Sequence, residues 1–404
     1  MASLRVSANG RYFVDEMGKP FFWLGDTQWQ LSRDVPMADV CEILTRRKKQ
    51  GFSAFQVMMT GVGEGLLPSL EGHKPWLNDD PATPNDAYFK HVDAVVAAAG
   101  EVGMILVLGV YHQLQVDRIT TANARGYARW IARRYKAVPH IIWTMYPKAK
   151  PEFVPVCREL AAGLREGDGG VHLITVHPDP SPTSSSFIHD EPWLDFNMNQ
   201  PCITYEKIYA MTKADYDRTP PKPAVMAEGG YEGVEFDRLQ TALEIRKQAY
   251  WSHLAGGHHS YGHQDAWKKP AQWQAWIDSP GARHLSIYRQ IITSCPQWWN
   301  CVPDQSVFAT APGTPGSSDT LESMTLNAAV TSGGPSGGWV LAYIASNTTV
   351  DIRMDKITTG KKVTAWWIDP TTGKRTKIGT YQNTGVQSLT IPADCQDAVL
   401  LLTA

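Results

Sequence analysis

At 404 residues, with 43% apolar and 10% aromatic side chains, the chain can bury a large core and exceeds the usual size of one domain. Its formal net charge of −2, with no dense run of Lys or Arg, excludes an electrostatic footprint for nucleic acid or for an anionic membrane. No apolar run reaches the roughly 20 residues of a membrane span, and Met1-Ala-Ser-Leu-Arg5 lacks the apolar core of a signal peptide.

The opening segment from Leu4 alternates apolar and polar residues around Asn9-Gly10 and Met17-Gly18, the pattern of a β-hairpin ahead of the main fold. A repeat then begins. Apolar strands are predicted at about 21–26, 52–59, 104–110, 140–145, 171–176, 194–198, 223–227 and 257–261. Helical patterns separate them at about 37–50, 85–102, 120–136, 151–166, 204–216, 237–255 and 281–294. Strands alternating with helices in this number predict an α/β fold, a (β/α)8 TIM barrel. A doubly wound sheet would need a Gly-rich phosphate turn opening a helix; Gly61-Val-Gly-Glu-Gly65 is the nearest run and no helix follows it.

Beyond Cys295 the texture changes to Pro/Gly/Ser-rich punctuation between short alternating strands such as Trp339-Val-Leu-Ala-Tyr-Ile344, Val363-Thr-Ala-Trp-Trp-Ile368 and Ala398-Val-Leu-Leu-Leu402. This predicts a small all-β sandwich, with domains at 1–300 and 301–404, and with packing against the barrel as the sandwich's expected role. The six cysteines are scattered without a CxxC pair, so zinc and redox motifs are lacking; Cys295 and Cys301 could close a small loop in an oxidising compartment. Fifteen tryptophans and fifteen tyrosines suit a carbohydrate ligand, since flat rings stack on sugar C–H faces, and they equally suit a packed core.

Barrel active sites lie at the C-terminal ends of the strands. The stretch Lys222-Pro-Ala-Val-Met-Ala-Glu228-Gly-Gly-Tyr231-Glu232 carries an apolar strand into a carboxylate and a double-glycine turn, which makes Glu228 the leading catalytic candidate. Polar and aromatic groups at the other strand ends are expected to bind substrate: Asp26 and Trp29, His112, His177, Gln200, Tyr231, Tyr261 and His263. His258 and His259 are neighbours on one strand and point to opposite faces, so no metal centre is expected there, and no G-x-S-x-G elbow supports a serine hydrolase.

Several motifs together resemble the apiosidase-like glycoside hydrolases: Phe22-Trp-Leu-Gly-Asp-Thr27, His172-Leu-Ile-Thr-Val-His-Pro178, Ser184 through Gln200, the Glu228 strand, and Gly256-Gly-His-His-Ser-Tyr-Gly-His263. Trp298-Trp-Asn-Cys-Val-Pro-Asp-Gln305 resembles that family's entry into a C-terminal sandwich labelled collagen-binding. The resemblance covers nearly the whole chain. It implies a retaining barrel glycosidase in an extracellular or periplasmic setting, and the leading reading is an exo-acting glycoside hydrolase on plant or microbial polysaccharide side chains, with no cofactor expected. In that family a Glu at the end of the seventh strand is the nucleophile and an Asp after the fourth is the acid/base.

Glu228 matches the first role. At the second, Trp143-Thr-Met-Tyr-Pro-Lys148-Ala-Lys-Pro-Glu152 places a lysine where the acid belongs. A retaining mechanism needs two carboxyl groups about 5 Å apart. Three options stay open: Lys148 transfers protons itself after burial lowers its pKa; Lys148 and Lys150 bind an anionic sugar while Glu64, Tyr146 or Glu152 supplies the proton, with Glu64 as the first substitute; or the protein is a catalytically silent carbohydrate-binding or adhesive protein.

Overall fold

The computed structural model describes residues 3–236, 238–333 and 337–404. Three short antiparallel strands, β1 (Arg5–Val6), β2 (Phe13–Val14) and β3 (Pro20–Phe21), come first, so the predicted hairpin is a three-stranded meander. The third strand exists because the Asp15–Lys19 turn folds the chain back once more. This meander plugs the N-terminal mouth of the barrel: Phe13 packs edge-on against Phe196 at 5.0 Å and lies 5.3 Å from the rings of Trp23 and His258.

Eight parallel strands then close into a barrel: β4 (Leu24–Thr27), β5 (Ala54–Met58), β6 (Ile105–His112), β7 (Ile141–Tyr146), β8 (Ile174–Val176), β9 (Phe196–Asn199), β10 (Ala224–Met226) and β11 (His258–Tyr261). Around them run α1 (Leu31–Asp34), α2 (Met37–Lys49), α3 (Asp86–Val102), α4 (Ala124–Tyr135), α5 (Val154–Asp168), α6 (Ser185–Ile188), α7 (Ile208–Tyr216), α8 (Ala242–Leu254), α9 (Gln264–Lys268) and α10 (Pro280–Thr293). Side chains alternate in direction along each strand. Trp23, Ala54, Ile105, Val107, Ile142 and Val225 fill the interior, and Leu24, Phe55, Leu106 and Trp143 face the helices.

Local chemistry sets the helix ends. Asn85 caps α3 by accepting from the Ala87 N–H, and Gly103 ends it at φ +74°, a left-handed turn that side-chain-bearing residues avoid. Thr241 and Glu244 form a reciprocal capping box on α8. Helices α4 and α5 pack tightly because Gly163 lacks a Cβ, which would lie 2.3 Å from the Arg125 carbonyl oxygen.

The C-terminal region is antiparallel. Six strands order as β12 (Val302–Pro303), β13 (Ala328–Thr331), β14 (Trp339–Ile344), β19 (Ala398–Thr403), β16 (Lys362–Ile368) and β17 (Arg375–Gln382), and β15 (Thr349–Arg353) pairs with β18 (Val386–Thr390). One face of the larger sheet shares a core with the small one through Val340, Ala342, Ile352, Val363 and Leu400. The opposite face belongs to the barrel's own core, contributing Leu341, Tyr343, Val399 and Leu401. Helix α8 is the partner: Tyr250 stacks on Tyr343 at 4.5 Å, Arg246 pairs with Asp397 at 2.8 Å with both side chains buried, and the Trp251 indole N–H donates to the Leu326 carbonyl at 2.8 Å. All six cysteines are free thiols, so the Cys295–Cys301 loop is not closed by a disulfide.

Candidate active site

Glu228 stands just beyond β10 at the C-terminal mouth and is 9% exposed. Its Oε1 accepts from the Tyr231 hydroxyl at 2.5 Å and its Oε2 from the Tyr146 hydroxyl at 3.0 Å. The Tyr231 oxygen in turn accepts from the Trp29 indole N–H at 2.6 Å. Tyr146 also lies 2.8 Å from the side-chain oxygen of Gln200. A phenol has one proton, so with Tyr146 donating to Glu228, the Gln200 amide must turn its NH2 toward the phenol oxygen. Each of these groups comes from a different strand end: Trp29 follows β4, Tyr146 closes β7, Gln200 follows β9, and the double-glycine turn after Glu228 delivers Tyr231. Gly262 permits this arrangement, because a Cβ there would lie 2.4 Å from the Tyr231 ring.

His177, just past β8, is fully buried with its Nε2 3.4 Å from Glu228 Oε2. That contact is not a salt bridge. Burial drives the imidazole pKa down to about 3, so the ring is neutral, and neither ring nitrogen makes a hydrogen bond. The ring is instead wedged 4.4 Å from Tyr146 and edge-on to Trp29 at 5.2 Å. His112 closes the other side of Tyr146, edge-on at 5.1 Å. Its Nδ1 accepts from the Leu114 N–H, which leaves the proton of the neutral ring on Nε2 as a donor.

Desolvation raises the Glu228 pKa to about 7. The two phenol donors and the Trp29 N–H oppose that rise by favouring the carboxylate, and the negative charge of Asp179 adds to it. Glu228 is therefore poised between its two states near neutrality. The Cys202 N–H donates to the Glu228 carbonyl at 3.2 Å, and burial pushes the Cys202 thiol up to about 11, which leaves it unreactive. A cavity of about 150 Å³ opens onto the carboxylate between Cys202, Tyr231, Val234, Phe236 and Trp267.

Five of the sequence-predicted binding residues, Trp29, His112, His177, Gln200 and Tyr231, are thus brought together around Glu228. The others are not. Asp26 points outward from β4 into the helix layer, where its carboxylate meets Arg47 at 2.6 Å and both side chains are wholly buried. Tyr261 faces the same layer and donates to Glu232 at 2.6 Å. His263 caps α9, stacks on Trp276, and borders a separate hollow of about 770 Å³ over Glu232 and Arg283. Glu232 itself is held by Tyr261, Ser279 and the Gly281 N–H. Lys148 is exposed beside a surface hollow lined by Val116, Ile119, Lys150 and Phe153, so it is not the buried lysine one option required. Glu64 is exposed in the loop after β5, and no described hydrogen bond or ion pair joins it to the Glu228 cluster.

A family model described as "Apiosidase-like, catalytic domain" matches residues 7–300, most of the chain. The chain belongs to the apiosidase-like family. A second model, "Putative collagen-binding domain of a collagenase", matches residues 302–403. Among solved structures, a glycoside hydrolase aligns over 100% of this chain and 97% of its own at a TM-score of 0.88 and 24% identity, a likeness of fold. A glycoside hydrolase family 5 structure from Bacteroides vulgatus aligns over 99% and 93% at 0.87 and 26% identity. A family 27 β-L-arabinopyranosidase from Geobacillus stearothermophilus shares the fold at 0.54 and 11% identity, over 95% of this chain and 96% of its own. No curated protein sequence matches. This apiosidase-like chain is a glycoside hydrolase.

Two groups whose place near Glu228 the sequence does not show are Tyr146 and Asp179. Tyr146 appears in the sequence only as a possible proton donor, whereas the structure makes it a direct partner of Glu228. Asp179 lies two residues past His177, and the run Thr175-Val-His177-Pro178 ends one residue short of it. A carboxylate so close to a strand end was the available signal. Among the described residues, no three His, Cys, Asp or Glu side chains group to hold a metal ion, and no helix is long and apolar enough to cross a membrane.

Proposed function

We propose that the protein is an exo-acting, retaining hydrolase of O-glycosides, with Glu228 as the nucleophile that attacks the anomeric carbon. The carrying observation is the carboxylate of Glu228 held between two phenol donors at the floor of a small cavity. Two fixed donors orient both oxygens and leave a lone pair free for attack, so no reorganisation precedes the reaction. A cavity of about 150 Å³ suits one terminal sugar ring rather than a run of them, which supports exo action. Phe236 and Trp267 offer flat faces for the ring's C–H groups, and His112 Nε2 offers a donor for a hydroxyl.

The exposed lysine at position 148 favours a second reading, a protein that binds sugar without cleaving it. One experiment separates the two. A 2,4-dinitrophenyl glycoside needs almost no proton for its leaving group, so an active Glu228 releases dinitrophenolate on mixing and a binder releases none. Glu228→Gln keeps the shape but cannot attack, and hydrolysis is expected to fall about 10³-fold or more. Retention of a tenth of the rate rejects the nucleophile assignment.

A further inference from the structure

Retention needs a second carboxyl to protonate the leaving oxygen, and the end of β7 offers Lys148 instead of one. The acids nearby are quickly sorted. Glu64 is exposed in another loop, Glu152 is exposed and sits 4.0 Å from Lys150, Glu232 is saturated by three donors, and Asp26 is sealed against Arg47. Asp179 remains. It is half-buried three residues past β8, and its N–H donates to the Pro147 carbonyl at 2.8 Å, which fixes it beside the end of β7. Two residues earlier, His177 Nε2 lies 3.4 Å from Glu228 Oε2, and the Asp179 charge acts on both Glu228 and Tyr146.

We propose that Asp179 is the acid/base partner of Glu228, supplying from the end of β8 the proton that the end of β7 does not. This assignment rests on Glu228 being the nucleophile. In the first step a Glu228 oxygen bonds to the anomeric carbon, the bond to the leaving oxygen breaks, and that oxygen takes the Asp179 proton. In the second, water bonds to the anomeric carbon, Glu228 leaves with its electron pair, and Asp179 takes the water's proton. Burial raises the Asp179 pKa from its ordinary value while Gln113 and Lys148 pull it down. The negative charge of Asp179 raises the Glu228 pKa, so the titration of Glu228 depends on the protonation state of Asp179.

The test uses the full chain and whichever sugar of a 2,4-dinitrophenyl pentoside and hexoside panel the parent protein turns over fastest. Asp179→Asn is expected to lower kcat/KM on the phenyl glycoside of that sugar by roughly 10²–10⁴-fold and to spare kcat/KM on the dinitrophenyl glycoside, whose kcat falls because water attack on the glycosyl-enzyme loses its base. Azide, which needs no base, is expected to restore steady turnover of the dinitrophenyl substrate and to yield the glycosyl azide. A readout independent of turnover is the 13C carboxyl titration of Glu228, whose midpoint falls below about 7 once the Asp179 charge is gone. Equal losses on both substrates without azide rescue, or a Glu228 midpoint that does not move, overturn the proposal. If Glu228→Gln abolishes turnover and Asp179→Asn changes neither substrate, this inference fails and the nucleophile stands; if Glu228→Gln keeps its rate, the nucleophile reading has failed.

Discussion

Tyr231→Phe removes the hydroxyl that makes the stronger of the two phenol contacts to Glu228, at 2.5 Å. A hydrogen bond to a charged acceptor contributes about 1.5–3 kcal/mol, and losing it raises the carboxyl pKa by roughly 1–2 units. The parent midpoint lies near 7, so half of Glu228 is ionised at pH 7. A midpoint one to two units higher leaves about a tenth to a hundredth ionised, and kcat/KM at pH 7 falls about 5- to 50-fold. The Trp29 N–H, which already acts on Glu228 and loses its phenol acceptor in the variant, compensates in part, so the lower end is expected. The assay is kcat/KM against pH from 5 to 10 on a 2,4-dinitrophenyl glycoside, where no leaving-group proton complicates the profile. The signature is recovery: the variant regains most of the parent rate at pH 10. A deficit as large at pH 10 as at pH 7 would refute the reasoning and assign the hydroxyl to substrate contact.

Other outcomes follow from the same geometry. Because the Glu228 midpoint in the fold lies above its ordinary 4.5, the native state holds a proton between pH 4.5 and about 7 that the unfolded chain gives up, and stability falls by roughly 3 kcal/mol as pH rises through that window. Glu228→Gln has no such loss, so in urea denaturation its advantage over the parent should grow from pH 4 to pH 8; a constant gap would show that Glu228 is not desolvated. Asp26→Asn leaves Arg47 charged and buried without its partner, and should cost about 3–5 kcal/mol of stability while KM stays unchanged, measured by denaturation and kinetics together. A chain ended at residue 301 exposes Tyr250 and Trp251 and strips Arg246 of Asp397, so it should be insoluble or aggregated by light scattering; a soluble fragment with full activity would contradict the shared core.

The barrel was legible because each buried strand is a short apolar run with its helix behind it, and all eight predicted strands overlap observed ones. Glu228 was legible for a related reason: a carboxylate closing an apolar strand before Gly229-Gly230 is an unusual place to leave a charge. Direction was harder to read. Asp26 and Tyr261 sit on barrel strands yet face the helices, and a sequence shows which residues alternate but not which set points inward when both are apolar. Helix α8 shows a second limit. It carries Glu244, Arg246, Lys247 and Gln248, residue types usually left in solvent, but every residue from Glu244 to Leu254 is buried, because the sandwich covers the side the barrel does not. Such burial depends on a partner encoded about a hundred residues away.

That enclosed helix also reaches the turn that carries Glu228. Gln248, on the same α8 that grips the sandwich through Arg246 and Tyr250, donates to the Gly230 carbonyl at 3.2 Å, and its side chain fills the space a Cβ on Gly229 would need. The turn that aims Glu228 and Tyr231 is thus braced by a helix whose far side is upholstered by the C-terminal strands. The small domain behaves as a mechanical backing for the turn that carries Glu228, and a cavity opened beneath Tyr343, far from that turn, would be felt first as a loosened Glu228 carboxylate.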